Sequence, residues 1–390
     1  MKHTQIFKTL AMVLAASAVT QAQADIKIGF SAPLSGPVAA VGQDQYDGFM
    51  LGLELLQGKL GGQAATVLKE DDQLKPELGN QIVRKYIDRD KVDALVGLGF
   101  SNVLMASLPR IVESGTVALA TNAGPSPLAG AGCVPNVFAT AWQNDGAAEA
   151  MGKHAQDAGY KKVFVLAPNY QAGKDSITGF KRMYKGQIVD EIYTQVNQPD
   201  YSAEIAQVQA ANPDAVYVFY PGGMGVNFVK QFSQAGLMKK LPLLSAFTVD
   251  GTSMPALRDA AIGSVSGAMW DVALKTNGNA EFVAAFRKKY DRTPSLYAAV
   301  GYDTANLLDI AVKKVNGKTD NKPAFVAAVK AAGSELKSVR GPFQFNVNNM
   351  PIQNYYAFQT IKDGNNITVK QLGTPLANHP DVYAEQCKVK

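Results

Sequence analysis

Apolar and polar residues follow one another along the chain in two alternating patterns. Short runs rich in β-branched and other apolar residues predict strands, and longer stretches with an apolar residue every three or four positions predict helices. In the first part of the chain, strands are predicted at Ile26 to Phe30, Ala65 to Glu70, Ala94 to Gly97 and Thr116 to Thr121, and helices at Gln45 to Leu56, Glu77 to Arg89 and Val103 to Glu113. This alternation predicts parallel sheets covered by helices on both faces.

A second series of the same kind follows residue 141. Strands are predicted at Lys162 to Ala167, Gln187 to Val196, Ala215 to Tyr220 and Leu243 to Phe247, and helices at Ala147 to Ala158, Asp175 to Tyr184, Glu204 to Ala210 and Val226 to Ala235. Two successive β/α series predict an α/β protein with two Rossmann-like lobes, and the short connections between elements suit lobes joined by strands that cross a hinge.

The pattern changes near the C-terminus. The β-rich runs Phe343 to Val347 and Tyr355 to Ile361 flank a turn at residues 348–351, and another short run follows a second turn at residues 363–366. These runs predict β-hairpin strands that are added to the sheets.

The first 24 residues have the features of a secretory signal peptide. Basic residues precede an apolar run from Leu10 to Val19, and Ala22 to Ala24 supply the small residues of a cleavage site. We therefore expect cleavage after Ala24 and a free periplasmic protein, since Asp25 stands where a lipoprotein has cysteine. The apolar run is shorter than the roughly 20 residues of a membrane-spanning helix, although a retained anchor is the alternative.

Length and composition narrow the class of protein. The mature chain exceeds the roughly 250–300 residues at which single cores stop growing, so two domains are expected. The chain is 47% hydrophobic and 18% charged, as globular proteins are. Its net charge of +5 comes without the basic stripe and interleaved aromatic residues of a nucleic-acid groove, so nucleic acid is not an expected partner.

The sequence contains two cysteines, Cys133 and Cys387. An even number in an exported chain permits a disulfide bond, and we predict that the two pair and tie the C-terminal tail to the first lobe. Two separate thiols are the alternative.

The residue patterns of enzymes and cofactor-binding proteins are incomplete in this chain. His154 is the one histidine placed to serve a core site, and it has no cysteine or histidine at metal-binding spacing. Gly97 to Gly99 begin like a dinucleotide loop, but Asn102 replaces the third glycine. Gly317 to Thr319 end like a phosphate loop, but Val312 replaces its first glycine. We therefore expect no catalytic residues, metal or cofactor.

Three segments carry a distinctive order of residues. Ser31 to Glu54 reads SAPLSGPVAAVGQDQYDGFMLGLE, Val96 to Leu128 continues from the third predicted strand, and Pro168 to Arg182 reads PNYQAGKDSITGFKR. The first resembles the start of periplasmic binding proteins of the leucine/isoleucine/valine-binding family, the second their ligand-contacting stretch, and the third the opening of their second lobe. The resemblance covers essentially the whole mature chain.

The resemblance implies a type I periplasmic binding fold, whose two lobes are joined by three hinge crossings and close over a ligand. It divides the chain into an N-terminal lobe of residues 25–142 and 272–347, a C-terminal lobe of residues 143–271 and 348–373, and a tail of residues 374–390 after the signal peptide of residues 1–24. It also implies a monomer that hands a small molecule to an inner-membrane ABC permease. A ligand-sensing receptor module is the alternative from another class, and it would normally continue into a membrane segment or signalling domain.

The expected cleft lies at the carboxyl ends of the parallel strands, where loops and helix N-termini present free N–H groups. Ser101 follows such a strand and begins such a helix, and in the family the matching serine binds the ligand's carboxylate. The next strand ends in Thr121, Asn122, Ala123 and Gly124, and Gly124 stands where the family commonly has threonine. Thr121 or Asn122 is therefore expected to supply the missing donor. A plain helix cap is the alternative role of Ser101.

Two departures from the family bear on the ligand. Branched amino-acid binders have an aromatic residue at the position of Val41 and a glutamate near Phe247 that pairs with the ligand's ammonium group, and this chain has neither. Burying an unpaired ammonium group costs several kcal/mol. An α-amino acid is therefore disfavoured, unless Asp250 or Asp271 supplies the charge.

Aromatic residues stand at the ends of several predicted strands or in the loops after them. These residues are Phe100, Tyr170, Phe219, Tyr220, Phe247 and Trp270. Stacking on a planar ligand would add roughly 0.5–1.5 kcal/mol per ring beyond burial, although each ring could instead pack in a lobe core. We predict an aromatic carboxylate ligand of the benzoate or cinnamate type, with a hydrophobic amino acid as the alternative. The predicted ligand-binding residues are Phe100, Ser101, Asn102, Thr121, Asn122, Ala123, Tyr170, Tyr220, Phe247 and Trp270.

Overall fold

The computed structural model describes residues 25–389, a mixed α/β protein built on two sheets. Its strands are β1 (Ile26–Ala32), β2 (Lys59–Leu60), β3 (Gln63–Asp71), β4 (Ala94–Gly97), β5 (Val117–Ala120), β6 (Val137–Ala139), β7 (Lys162–Pro168), β8 (Gln187–Thr194), β9 (Ala215–Val218), β10 (Leu243–Ala246), β11 (Val265–Ala268), β12 (Gln344–Phe345), β13 (Pro351–Asp363) and β14 (Asn366–His379). Its helices are α1 (Ala39–Leu55), α2 (Pro76–Lys85), α3 (Ser101–Ser114), α4 (Ser126–Ala129), α5 (Gly146–Asp157), α6 (Gln171–Met183), α7 (Ser202–Ala211), α8 (Gly223–Gln234), α9 (Met254–Leu257), α10 (Asn279–Tyr290), α11 (Leu296–Lys314) and α12 (Lys322–Ala332).

The first sheet has the strand order β2-β3-β1-β4-β5-β6 and is parallel apart from the pairing of β2 with β3. Alternate residues of its central strands enter different apolar clusters. Val96 and Leu119 pack with residues of α1, α11 and α12, whereas Leu95 and Ala118 pack with residues of α2 and α3. Burial on both faces explains why β4 and β5 are continuous apolar runs in the sequence.

The second sheet has the order β12-β13-β11-β10-β9-β7-β8, with β14 paired to β13. Strands β7 to β11 are parallel, and β13 runs antiparallel to β11, β12 and β14. The hairpin predicted from the C-terminal pattern is therefore present. It is longer than predicted, because Pro351 already belongs to β13 and β14 continues to His379, past residue 373. Proline is tolerated here because it is the first residue of its strand.

The chain passes between the two sheets three times: after β6, after β11 and between α12 and β12. After β11 it returns to the first sheet, where α11 and α12 join the apolar cluster of α1. The predicted fold of two α/β lobes joined by a three-crossing hinge is confirmed. Every strand and helix predicted from the two series overlaps an observed one.

Arg340 ties the crossings together. Its side chain is buried and donates to the backbone oxygens of Thr140 and Ala141 and to Gln353 Oε1, each at 2.9 Å. Its Nε donates to the buried carboxylate of Asp303 on α11 at 2.8 Å. The first and third crossings are thus held against the first lobe by one cation, which fixes the position of the chain that enters the cleft.

The predicted disulfide bond between Cys133 and Cys387 is confirmed, and it fixes the C-terminal tail to the loop after α4. The signal peptide predicted for residues 1–24 lies outside the described residues. From residue 25 to residue 389, no helix is long and apolar enough to cross a bilayer.

Candidate functional site

A small cavity lies between the two lobes. Its walls are Gly99, Phe100, Ser101, Asn122, Trp142, Asn144, Tyr170, Ala172, Phe219, Pro221, Phe247 and Tyr297. All but Tyr297 follow the carboxyl ends of β4, β5, β6, β7, β9 or β10. The parallel topology therefore brings residues from both sheets to one place.

Aromatic rings form much of the cavity wall. Trp142 stacks on Phe247 with ring centroids 4.4 Å apart and an interplanar angle of 22°. Phe219 meets Phe247 edge to face at 6.0 Å and lies 6.2 Å from Tyr170. Phe247 has φ = +54°, which is rare for a bulky residue and is often associated with function. Of the described residues that line the cavity, none carries a charged side chain.

Ser101 is the first residue of α3, and the residue is 1% exposed. The first N–H groups of a helix lack intrahelical acceptors and carry partial positive charge, which favours an anion. Phe100 is the capping residue, and no side chain of the described residues caps this helix, so the alternative role of Ser101 as a plain cap is not realised. Ser101 Oγ accepts a hydrogen bond from Asn144 Nδ2 at 3.0 Å.

Gly124 lets the first hinge crossing approach the end of β5. A Cβ atom on Gly124 would lie 2.0 Å from the carbonyl oxygen of Trp142, so no other residue fits without moving the crossing. The N–H of Gly124 donates to Asn144 Oδ1 at 3.0 Å. This close approach carries Trp142 and Asn144 into the cavity. Sequence reasoning missed both residues, although a glycine where the family has threonine was a usable signal of close backbone contact.

The structure brings five of the predicted ligand-binding residues to the cavity: Phe100, Ser101, Asn122, Tyr170 and Phe247. It also places Phe219 there, and it adds Gly99, Trp142, Asn144, Ala172, Pro221 and Tyr297, which the prediction did not include.

Three predicted residues of the first lobe point elsewhere. Thr121 Oγ1 donates to Gln45 Oε1 at 2.6 Å, and Ala123 packs in the apolar cluster of α2 and α3. Asn102 Nδ2 donates to the backbone oxygen of Leu74 at 3.3 Å. Asn122 is thus the member of the Thr121 and Asn122 pair that reaches the cavity.

Two predicted aromatic residues of the second lobe also lie outside the cavity. Tyr220 is fully buried, accepts a hydrogen bond from Thr194 Oγ1 at 3.2 Å and packs on Phe228. Trp270 Nε1 donates to Asn279 Oδ1 at 2.8 Å. These two rings take the core-packing role that was the alternative for each aromatic residue.

Neither carboxylate considered as a partner for a ligand ammonium group lines the cavity. Asp250 Oδ2 accepts from the hydroxyl of Tyr297 at 3.0 Å, and its Oδ1 accepts from the N–H of Thr252 at 2.8 Å. Asp271 accepts from the N–H of Ala273 at 2.8 Å, and burial raises its pKa. Both border a separate groove, which residues of both lobes line.

The lobes touch each other on several sides of the cavity. The N–H of Gly223, at the start of α8, donates to the oxygen of Pro37 after β1 at 2.8 Å. Ser126 of α4 donates through its hydroxyl to Asp175 of α6 at 2.6 Å. These contacts close the cleft, as expected for a hinged pair of lobes around a small ligand.

The comparisons with known proteins agree with one another. A family model described as periplasmic binding protein matches residues 25–365. Leu/Ile/Val-binding protein homolog 6 of Brucella melitensis biotype 1 is 26% identical over 373 residues, which cover 93% of this chain and 94% of that protein.

Two solved structures are also similar over nearly their whole length. A solute-binding protein of an ABC transporter from R. palustris, in complex with benzoate, has a TM-score of 0.88 at 31% identity, covering 94% of this chain and 100% of that one. A second, from Rhodopseudomonas palustris BisB5 in complex with 3,4-dihydroxybenzoic acid, has a TM-score of 0.85 at 27% identity, covering 92% and 99%.

Proposed function

This chain belongs to the periplasmic binding protein family, and from that premise we propose that it captures an aromatic carboxylate of the benzoate type for an ABC importer. The observation that carries the proposal is the uncharged, aromatic-walled cavity with the Ser101 hydroxyl at the start of α3. The two R. palustris relatives, in complex with benzoate and with 3,4-dihydroxybenzoic acid, support it.

The carboxylate of the ligand would sit at the first-lobe end of the cavity. There the N-terminus of α3 and the hydroxyl of Ser101 offer donors, and Asn122 lies on the same wall. Hydrogen bonds to a charged acceptor contribute about 1.5–3 kcal/mol each, so a few donors can hold a carboxylate without a lysine or arginine.

The ring of the ligand would lie among the aromatic side chains of the wall. Trp142 and Phe247 already stack on each other, and Phe219 presents its ring at 86° to Phe247. A flat apolar ligand gains burial together with roughly 0.5–1.5 kcal/mol per favourable ring contact. A branched aliphatic side chain would gain the burial alone.

A hydrophobic amino acid is the alternative ligand, in line with the name of the B. melitensis relative. Its ammonium group would enter a cavity whose described lining residues include no carboxylate. Asp250 and Asp271 lie on the separate groove, and Asp250 is already engaged by Tyr297. Burial of an unpaired ammonium group costs several kcal/mol, which favours the aromatic acid.

We further propose that the mature protein begins after Ala24, acts as a monomer in the periplasm and delivers its ligand unchanged to an inner-membrane permease. The N-terminal lobe is assigned residues 25–142 and 272–347, and the C-terminal lobe residues 143–271 and 348–373. The crossings after β6 and after β11 support the first two boundaries of this division.

The ligand class is tested by a thermal-shift screen of the purified mature protein. The compounds are benzoate, 4-hydroxybenzoate, cinnamate, leucine and valine. A ligand at 100 times its dissociation constant adds about 2.7 kcal/mol of stability, or roughly 3–4 °C for a chain of this length that unfolds cooperatively. We expect a shift with at least one aromatic acid. A shift with leucine or valine and with no aromatic acid would refute the proposal.

A further inference from the structure

Asn144 makes hydrogen bonds that leave its amide group only one orientation. Its Oδ1 accepts from the N–H of Gly124 at 3.0 Å, and a backbone N–H can only donate. Its Nδ2 donates to the carboxylate of Asp175 at 2.8 Å and to Ser101 Oγ at 3.0 Å. Exchanging the oxygen and nitrogen of the amide would set donor against donor and acceptor against acceptor.

This orientation decides which way the hydroxyl of Ser101 points. Ser101 Oγ accepts a hydrogen bond from Asn144 Nδ2, so its own proton must be directed elsewhere. Among residues 25–389, that proton has no hydrogen-bond acceptor, and Ser101 lines the cavity. The serine therefore offers a donor to the cavity, which suits a carboxylate and not an ammonium group.

Asp175 connects the same group of side chains to the closure of the lobes. Its carboxylate accepts from the N–H and hydroxyl of Ser126 at 3.0 and 2.6 Å, and from Gln171 Nε2 at 2.8 Å. Ser126 belongs to α4 of the first lobe, and Asp175 belongs to α6 of the second. The carboxylate can thus hold Asn144 and Ser126 together only when the two lobes meet.

We propose that Asn144 and Asp175 are positioning residues that turn the hydroxyl of Ser101 toward the ligand's carboxylate when the lobes close. This inference rests on the proposed function. We call Ser101, Asn144, Asp175 and Ser126 the Ser101 relay. Both N–H donors of Asn144 are engaged within the protein, so it acts on the ligand's charge through Ser101.

The relay is tested by a double-mutant cycle measured with benzoate and with benzamide, its uncharged analogue. We expect Ser101→Ala and Asn144→Ala each to weaken benzoate binding by about 10- to 100-fold. Because Asn144 acts through Ser101, the double variant should bind benzoate about as weakly as either single variant. The affinity for benzamide should fall less, because a hydrogen bond from the hydroxyl to a neutral acceptor is weaker. The preference for benzoate over benzamide should therefore fall.

Asn136→Ala is the matched control. Asn136 is also a buried asparagine, and its Nδ2 donates to the backbone oxygens of Ile111 and Thr116 at 2.9 and 2.8 Å, away from the cavity. This variant should lower the melting temperature yet keep the ratio of the benzoate and benzamide dissociation constants.

Asp175→Asn tests the link to closure. Four hydrogen-bond donors face the carboxylate of Asp175, and both of its oxygens accept. In the variant they would face an amide group, of which only the oxygen accepts. Small-angle X-ray scattering should show the wild type becoming more compact with saturating benzoate, and the variant responding less. An equal decrease in the radius of gyration of both proteins would overturn the link.

The outcomes separate the relay from the proposed function. A wild type that binds no aromatic acid refutes the proposed function, and the relay with it. If the wild type binds benzoate but Asn144→Ala weakens the Ser101→Ala variant as much as it weakens the wild type, the proposed function stands and the relay is wrong.

Discussion

Replacing Gly124 by alanine would place one methyl group against the first hinge crossing. The new Cβ atom would lie 2.0 Å from the carbonyl oxygen of Trp142 and 2.9 Å from the Cα atom of Gln143. The crossing would have to retreat by about 1 Å to reach 3.0 Å, a separation that real Cβ contacts rarely go below. Arg340 opposes this movement, because it holds Ala141 and Thr140 at 2.9 Å.

The expected loss of stability follows from these contacts. Overpacking of a tight site costs about 1–3 kcal/mol. A weakened hydrogen bond from Gly124 to Asn144 adds about 1 kcal/mol, so the free energy of unfolding should fall by about 2–4 kcal/mol. Displacement of Trp142 from Phe247 should also weaken benzoate binding by up to about 10-fold, since a ring contact contributes about 0.5–1.5 kcal/mol and 1.4 kcal/mol corresponds to one factor of ten.

Urea unfolding followed by circular dichroism, together with titration calorimetry with benzoate, would measure both effects. Gly373→Ala is the control, because a Cβ atom there meets no atom of residues 25–389 within 4 Å. The reasoning is refuted if Gly124→Ala unfolds within about 0.5 kcal/mol of the wild type and binds benzoate equally well.

Three further predictions concern stability. Burial raises the pKa of Asp72 from 3.8 to about 6, so its favourable contribution to folding is present at pH 4 and is lost as the pH rises through about 6. In urea unfolding, the free energy of unfolding of Asp72→Asn should equal that of the wild type at pH 4 and exceed it by up to about 3 kcal/mol at pH 7. A difference that does not change with pH would contradict this. Replacing Cys133 and Cys387 by serine should lower the free energy of unfolding by about 2–5 kcal/mol. A reductant should lower the melting temperature of the wild type but not of this variant. Arg340→Met should lower the free energy of unfolding by about 3–5 kcal/mol, because it leaves the buried carboxylate of Asp303 without its cation. An unchanged urea midpoint would show that this ion pair contributes little.

The fold was predictable because its signals are local. Strands buried on both faces, such as Ala94–Gly97, read as short apolar runs, and each is followed by a helix with its own period. Ser101 was predictable for the same reason, since a strand end and a helix start adjoin it in the sequence. The pairing of Cys133 with Cys387 was reached from their number and the expected export, without any geometry.

The rest of the site depends on contacts between residues far apart in the chain. Thr121 was expected to donate to the ligand, but its hydroxyl donates to Gln45, which lies 76 positions earlier in the chain. Asn144 and Trp142 enter the cavity because a crossing chain packs on Gly124, and nothing in their own segment indicates this. Trp270 ends a strand as Phe247 does, but its partner Asn279 holds it elsewhere. Which aromatic rings face the cleft is therefore decided by how the lobes meet.

A calorimetric titration of the mature protein with benzoate and, separately, with leucine tests the proposed ligand most directly. We expect saturable binding of benzoate with one site per chain and no heat of binding for leucine, because the cavity offers donors and aromatic rings but no carboxylate among its described walls. Binding of leucine at one site, with none of benzoate, would contradict this expectation.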